Sequence, residues 1–270
     1  MTTDPYASVT APPRFFLHRL NPLSKLAAPL PFMAWLLVVR DVWTPLLFLL
    51  FAVITILIGA RLTLRRAVAL VIGLPLLILL LSFSFGLWTD AARVDTTPLL
   101  FQIGEYRFYL GAWLIGLATA LRLGAVLALA LIPGLTTTGP ELVRASVEHL
   151  RVPYRVGYTA LAAYRFVPRF RHDLDLIRQA HRVRGVAGGR GPIAGIRRGL
   201  GYVVPLLAGA IRHAERVSFA MDSRAFGAHP TRTERYLMPL RVRDAVFTAL
   251  FWLIGAGLLV VAARLGGALP

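Results

Sequence analysis

The sequence predicts an all-α integral membrane protein with about five transmembrane helices and a cytoplasmic domain of long amphipathic helices. Three observations lead there. The 270 residues are 57% hydrophobic, with a mean hydropathy of +0.65, a composition suited to lipid rather than water. The apolar residues gather in runs long enough to cross a hydrocarbon core of about 30 Å. The formal charge of +17 is concentrated, since residues 139–243 hold 19 of the 30 basic side chains and 7 of the 13 acidic ones.

From the amino terminus, residues 1–25 carry Arg14, Arg19 and Lys25 but no apolar core ending in a small-residue cleavage site, so they read as a retained cytoplasmic segment. The apolar stretch Leu26 to Ala60 is too long for one span. Arg40 and Asp41, followed by Trp43, interrupt it, which predicts a hairpin of two short helices with a polar, aromatic tip at the outer interface. Spans over Arg66 to Trp88 and Tyr109 to Gly134 complete a membrane domain of about four spans in residues 26–134. A last span, about Ala245 to Arg264, occupies most of residues 244–270. Basic residues in short loops resist translocation. Arg61, Arg65 and Arg66 therefore place their loop in the cytoplasm, whereas Asp90, Asp95 and Glu105 against Arg93 and Arg107 suit an outside connection. Five spans leave the carboxyl terminus outside.

Residues 135–243 form the expected cytoplasmic domain. Thr136, Thr137 and Thr138 precede Gly139, Pro140 and Glu141, a helix start in which hydroxyls cap, proline suits the first turn and the carboxylate meets the positive end of the dipole. That helix runs to about Leu150. Between Pro153 and Arg184, the residues Ala163, Phe166, Val167, Phe170, Leu174 and Ile177 recur at three- and four-residue steps, with Arg169, Arg171, Asp173, Asp175 and Arg178 elsewhere around the wheel. This spacing predicts a long amphipathic helix, kinked by Pro168. Gly185 ends it, and Gly188, Gly189, Gly191 and Pro192 make a turn. A second such helix carries Val203, Leu206, Ala210, Ala214, Val217 and Met221 on one stripe and ends near Gly227 and Pro230. Met221 continues that stripe and reads as packing.

Much chemistry is closed to this chain. Without cysteine there is no disulfide, iron–sulfur or thiolate zinc site. Lys25 is the only lysine and follows Ser24 rather than glycine, so no phosphate-cradling P-loop can be built. Among the six histidines, His172 and His181 are nine apart and His149 and His213 stand alone, which matches no metal-ligand spacing. No catalytic, cofactor or metal site is expected. The clustered arginines favour contact with anionic membrane lipids. They lack the aromatic platform or the purely basic helix that nucleic acid would require.

Two arginines stand out at helix ends between small or apolar neighbours: Arg184, flanked by Val183 and Gly185, and Arg224, flanked by Ser223 and Ala225. Each guanidinium offers five donors in a fixed fork, and small flanking residues let a backbone approach closely. A plain helix-ending cation would contribute only about 0.3–1 kcal/mol. Arg122 sits near the middle of a span, where a charge costs about 2.5–3.5 kcal/mol or more and must face protein or water.

The runs Q-A-H-R-V-R-G (Gln179 to Gly185) and A-M-D-S-R-A-F-G (Ala220 to Gly227) resemble the two short arginine motifs of the T component of energy-coupling factor (ECF) transporters, the EcfT/CbiQ family. The likeness extends to N-P-L-S-K-L (Asn21 to Leu26), T-T-G-P-E-L (Thr137 to Leu142), the Leu150 to Pro153 turn and Y-R-F-V-P (Tyr164 to Pro168), in the family's order. Ala225 departs from the glycine expected after the second arginine. The resemblance implies a multi-pass cell-membrane protein that is not itself an enzyme. It implies that Arg184 and Arg224 insert into grooves on two cytoplasmic ABC-type ATPases, identical or different, and that a small substrate-binding membrane subunit (the S component) takes up a vitamin or a transition-metal ion. Arg122 then reads first as held by an interior partner and second as a contact sensing that subunit. Two other classes compete. An ordinary ABC permease would carry a Glu-Ala-Ala coupling loop, which is missing, and a lipid-acting membrane enzyme would need carboxylates or histidines clustered at a membrane face.

Overall fold

The computed structural model of the chain describes residues 15–39, 41–89, 97–103, 106–185, 192–230, 233 and 237–266. Arg14, Arg40, Asp90, Arg93, Asp95, Glu105, Gly188, Gly189 and Gly191, on which several sequence expectations rest, lie outside the described residues, as does the carboxyl terminus. Almost all of the described chain is helical, and it divides into two compact units, Met1–Thr138 with Pro239–Pro270, and Gly139–Met238.

In the first unit the chain is already folded at Phe16, where a 3-10 turn (Phe16–Arg19) buries Leu17. Residues 16–25, read from sequence as part of a segment ahead of the membrane domain, are thus an integral part of this unit. Helix α1 (Pro22–Ala27) starts on Asn21, whose side chain accepts the Leu23 N–H at 2.9 Å, with proline at the first position where no amide is needed. Pro29 cannot continue its ladder, and α2 (Leu30–Val38) restarts at once. After the break, Asp41 accepts both the amide and the hydroxyl of Thr44 at 2.7 Å and so starts α3 (Trp43–Gly59). The polar residue at the hairpin tip thus serves as a helix cap.

The next apolar rod, Leu64–Leu87, comprises α4 (Leu64–Val68), a π-helical turn (Ala69–Gly73) and α5 (Leu74–Leu87). Pro75 accounts for the turn, because its ring excludes the carbonyl four residues back and widening the helix relieves that clash. Strands β1 (Leu99–Ile103) and β2 (Tyr106–Tyr109) form an antiparallel hairpin pairing Leu99 with Tyr109 and Gln102 with Arg107. The sequence reading treats Thr89 to Arg107 only as a connection. Here the two segments pair, and Phe108 is buried against Phe83, with ring centroids 5.4 Å apart.

Helix α6 (Leu110–Thr136) is the spine of the unit. Its buried face is made largely of glycine and alanine, so α3 and α5 approach closely. A Cβ on Gly116 would lie 2.3 Å from the Ser82 carbonyl oxygen, and one on Gly124 2.6 Å from Ile78 Cδ1. Helix α10 (Val242–Gly266) closes the unit by receiving Phe32 against Gly255, within an aromatic cluster in which Phe32 lies 5.1 Å from Phe48 and Phe51 lies 4.8 Å from Phe251. The outer faces carry exposed Leu76, Leu79, Leu80, Leu253 and Val260, surfaces that hydrocarbon accepts and water does not. Among the described residues, Leu64–Leu87, Leu110–Thr136 and Val242–Gly266 are long and apolar enough to cross a bilayer. The two arms of the hairpin, Pro22–Val38 and Trp43–Gly59, are shorter. The five expected spans are therefore three full-length and two short apolar helices.

Two buried polar groups tie this unit together. Lys25, 1% exposed, donates from Nζ to the Thr136 carbonyl at the end of α6 at 2.8 Å. Asp244, 2% exposed, accepts the Asn21 N–H at 2.7 Å and the Arg241 N–H at 2.8 Å. Trp252 Nε1 adds a bond to the Ala28 carbonyl at 3.1 Å. Thr136 lies within α6 and donates its hydroxyl back to Ile132, while the buried Thr137 hydroxyl has no partner among the described residues. The expected threonine cap therefore does not form at those two positions.

In the second unit, α7 (Gly139–His149) packs through Ala145 on the start of α8 (Tyr154–Val183), where Gly157 leaves room for Val147. The returning chain is pinned at Met238, whose amide donates to Glu148 and whose carbonyl accepts from His149, both at 2.7 Å. Helices α8 and α9 (Pro192–Asp222) continue through Pro168 and Pro205. Tyr154 meets Phe226, Phe166 stacks on His213 at 4.8 Å and His181 meets Tyr202. As α8 residue numbers rise their partners' numbers fall, so the two helices form an antiparallel pair.

Replacing Lys25 by Met leaves the Thr136 carbonyl buried without its donor and should lower the stability of the purified chain by about 1–3 kcal/mol, read as an earlier unfolding midpoint in detergent, with exposed Arg61→Met near neutral. By the same measurement Gly116→Ala should cost about 1–3 kcal/mol through overpacking. Gly257→Ala, which meets nothing within 4 Å, should cost nothing.

Candidate functional site

The two arginine motifs end their helices in the same way. In the second, the Ala225 N–H bonds to the Asp222 carbonyl at 2.9 Å and the Phe226 N–H to that of Met221 at 3.0 Å, the paired bonds of a Schellman ending. Arg224 is then the capping residue, and Ala225 takes the left-handed conformation at φ 52°. In the first, Arg184 is the capping residue of α8, the Gly185 N–H bonds to the Arg182 carbonyl at 3.1 Å, and Gly185 has φ 68°. A left-handed residue directly follows each arginine and ends its helix, and both arginines are exposed. Helix α9 stops at Asp222, short of the Gly227 expected from sequence, because Ala225 already breaks it.

Both sites are exposed together with their flanks: Val183, Gly185, Ser223 and Ala225 all lie at the surface, Val183 at 90%. Among the described residues neither guanidinium has a hydrogen-bonding or ion-pairing partner. The two carboxylates in the middle of α8 pair locally, Asp173 with Arg169 at 3.9 Å and Asp175 with Arg178 at 3.1 Å. The antiparallel register sets Arg224 beside the start of α8 and Arg184 at its far end. Tyr154 and His181 mark those two ends, which at 1.5 Å per residue are about 40 Å apart.

The two ends differ in their support. Beside Arg224 the start of α8 grips the turn: Arg155 donates to the Gly227 carbonyl, Tyr154 donates to the His229 carbonyl at 2.6 Å, and the Tyr154 ring meets Phe226 edge-on at 5.9 Å. Arg224 lines a cleft of about 550 Å³ with Tyr158, Arg165 and His229. Tyr154 and Arg155 lie outside the sequence-derived site, because nothing in their spacing signals a contact some seventy residues later. Between the two ends, the half-buried residues Phe166, Phe170, Leu174 and Ile177 of α8 and Leu206, Ala210, Val217 and Met221 of α9 share the inner side, while Ala163, Val167, Val203 and Ala214 are exposed. Phe166, Ala210, Val217 and Met221 line an apolar groove of about 530 Å³. Among the described side chains of α9, none is fully buried.

Arg122 lies apart from this site, in the middle of α6. Its side chain is half-buried, and its buried Nε has no hydrogen-bond partner among the described residues. The interior partner expected from sequence is not found among the described residues.

Residues 13–235 match the family described as cobalt transport protein, CbiQ. The energy-coupling factor transporter transmembrane protein EcfT of Bacillus subtilis is 27% identical over 92% of each chain. That of Thermosediminibacter oceani is 30% identical over 91% of each. A putative ABC transporter ATP-binding protein of Bifidobacterium longum is 28% identical over 92% of this chain and 32% of its own length.

A left-handed alanine is strained by about 1–2 kcal/mol relative to a right-handed one. Ala225→Gly should therefore stabilise the end of α9 by up to about 1 kcal/mol, seen as slower amide hydrogen exchange at residues 225 and 226. Gly185→Val should speed exchange at the end of α8.

Proposed function

The chain belongs to the CbiQ cobalt transport protein family, and from that premise we propose that it is the transmembrane coupling (T) component of an ECF-type ABC importer. It links ATP hydrolysis by two cytoplasmic ABC-type ATPases, identical or different, to movement of a substrate-binding membrane subunit that takes up a vitamin or a transition-metal ion. The chain carries out no reaction itself. Residues 26–134 and 244–270 sit in the cell membrane, and residues 135–243 form the coupling domain on the cytoplasmic side.

One observation carries this reading: two exposed, unpartnered guanidinium groups, each presented by a left-handed helix ending, stand at opposite ends of one antiparallel helix pair. A groove lined by carboxylates or carbonyls can hold such a group bidentately. A separation of about 40 Å suits two sites on two subunits better than two contacts within one small pocket. The names of the full-length relatives support the assignment to an ECF transporter, and that of the Bifidobacterium protein supports pairing with ATP-binding subunits.

Mechanically, closure of the ATPases around ATP displaces the two helix ends. The stacked Phe166–His213 contact lies near the middle of the pair and gives it a place to pivot, and the open apolar groove transmits the shift to a partner lying on it. Nothing in this sequence of events needs a bond made or broken by the chain.

Arg184→Glu and Arg224→Glu should each abolish uptake while leaving membrane insertion intact, because reversing a charge held in a groove costs about 2–5 kcal/mol or more. The check is affinity purification from the native membrane, wild type beside the double variant, followed by mass spectrometry. ATPases held by the wild type and lost from the variant are the expected result. A wild type that arrives alone, or variants that fail to insert, would overturn the reading.

A further inference from the structure

Among the described residues of the membrane unit, one charge at the middle of an apolar helix has no partner. Arg122 follows Leu121 in α6, with Leu110 and Thr136, the ends of that helix, about 18 and 21 Å away along the axis. A side chain at that depth cannot reach either interface by snorkelling, as arginines near helix ends do. Its Nε is buried with no partner among the described residues, and the rest of the side chain is half-exposed. Ile115, on the same face two turns earlier, is exposed, and so is the adjacent Leu123. Thr119, the nearest hydroxyl on this face, turns back on its own helix and donates to the Ile115 carbonyl at 3.0 Å. An apolar surface with one unmatched guanidinium at mid-depth is unfavourable against lipid and requires a complementary group.

The described residues of this chain supply no such group. The carboxylates in the described part of the membrane unit are Asp41 and Asp244, both at helix starts and both engaged, with Thr44 and with the Asn21 and Arg241 amides respectively. A second copy would therefore bring like charge to Arg122 without a mid-depth carboxylate from its described residues.

We infer that Arg122 is an intramembrane docking residue, presented from the side of α6 to a carboxylate at mid-depth on a helix of the substrate-binding membrane subunit. The inference rests on the reading of this chain as a coupling component, and it adds a second point of attachment, inside the bilayer and apart from the two arginine-bearing helix ends. A pair of this kind is nearly free of screening by water and salt, so it selects partners that carry the acid at the right depth and rejects those that do not.

The chain has no cysteine, so a single introduced thiol reports one position. Complexes are purified from the native membrane with wild-type chain, with Arg122→Leu and with Arg122→Lys. Separately, a photo-activated crosslinker is placed at Ile115→Cys, with Arg122 intact, and at Leu253→Cys on α10 as the control. The expected result is that every form retains the ATPases, that Arg122→Leu loses the small membrane subunit about tenfold or more, and that Arg122→Lys retains part of it. The Ile115 crosslink should land on a helix of that subunit containing Asp or Glu, and replacing that acid by Arg in the presence of Arg122→Glu should restore assembly. Crosslinks from Ile115 to lipid alone or to a second copy, or full retention of the subunit by Arg122→Leu, would overturn the inference. Should Arg122→Leu fail to insert, the crosslink with Arg122 intact still decides. Loss of the ATPases from the wild type would instead overturn the coupling reading on which the inference stands.

Discussion

A buried ammonium and a buried carboxylate, both reached from the short α1 segment, hold three distant parts of the chain in one place. Lys25 covers a carbonyl at the end of α6, where the helix has no internal donors left and the dipole is negative. Asp244 takes the Asn21 amide and an amide at the start of α10, where the dipole is positive. Each charge therefore sits at the helix end that favours it and is hydrogen-bonded, the conditions under which a buried charge is tolerable. Helix α6 leads within a few residues to α7 and on to the arginine-bearing helices, so the point where it leaves the membrane unit has to be fixed. Lys25 fixes it.

The rest of the membrane unit follows from a division of labour between large and small residues. Glycines along α6 let α5 come within backbone contact, the geometry that helix association in lipid exploits because apolar side chains gain nothing by leaving hydrocarbon. Phenylalanines from α2, α3 and α10 fill the wider space opposite, where Gly255 admits the ring of Phe32. Branched and aliphatic residues are left for the lipid side. Arg122 is the one member of α6 that fits neither role, since it is too deep for water and unpaired within the described protein.

The second unit is organised on the opposite principle. Two ring contacts join its long helices and a third lies at the turn after α9, and no described side chain of α9 is completely buried. So thin a contact lets the pair shift without breaking a core, whereas the tightly packed α5–α6 crossing cannot slide past the Ser82 carbonyl. Rigidity is kept where the arginines need it, at the helix ends. There backbone hydrogen bonds and, beside Arg224, the grip of Tyr154 and Arg155 set the turn.

The amino-acid sequence by itself determined the all-α class and the apolar spans, because runs of Leu, Ile, Val and Phe of bilayer length have no other stable arrangement. It also located the long amphipathic helices and the arginine at the end of each, since periodicity, glycine and proline act over a few residues. What escaped it depends on partners far apart in the chain. The β-hairpin at Leu99–Tyr109 is too short to carry a clear period, and the ends of α9 and α6 were decided by the backbone at Ala225 and by the back-bonded hydroxyl of Thr136. Only the tertiary structure showed that Lys25 meets Thr136, that Tyr154 and Arg155 brace the second arginine turn, and that Arg122 has no acceptor among the described residues. Such pairings join residues separated by tens to more than a hundred positions, and local spacing carries no information about them. The antiparallel register that sets Arg184 and Arg224 at opposite ends is of the same kind, fixed by where rings from two helices meet.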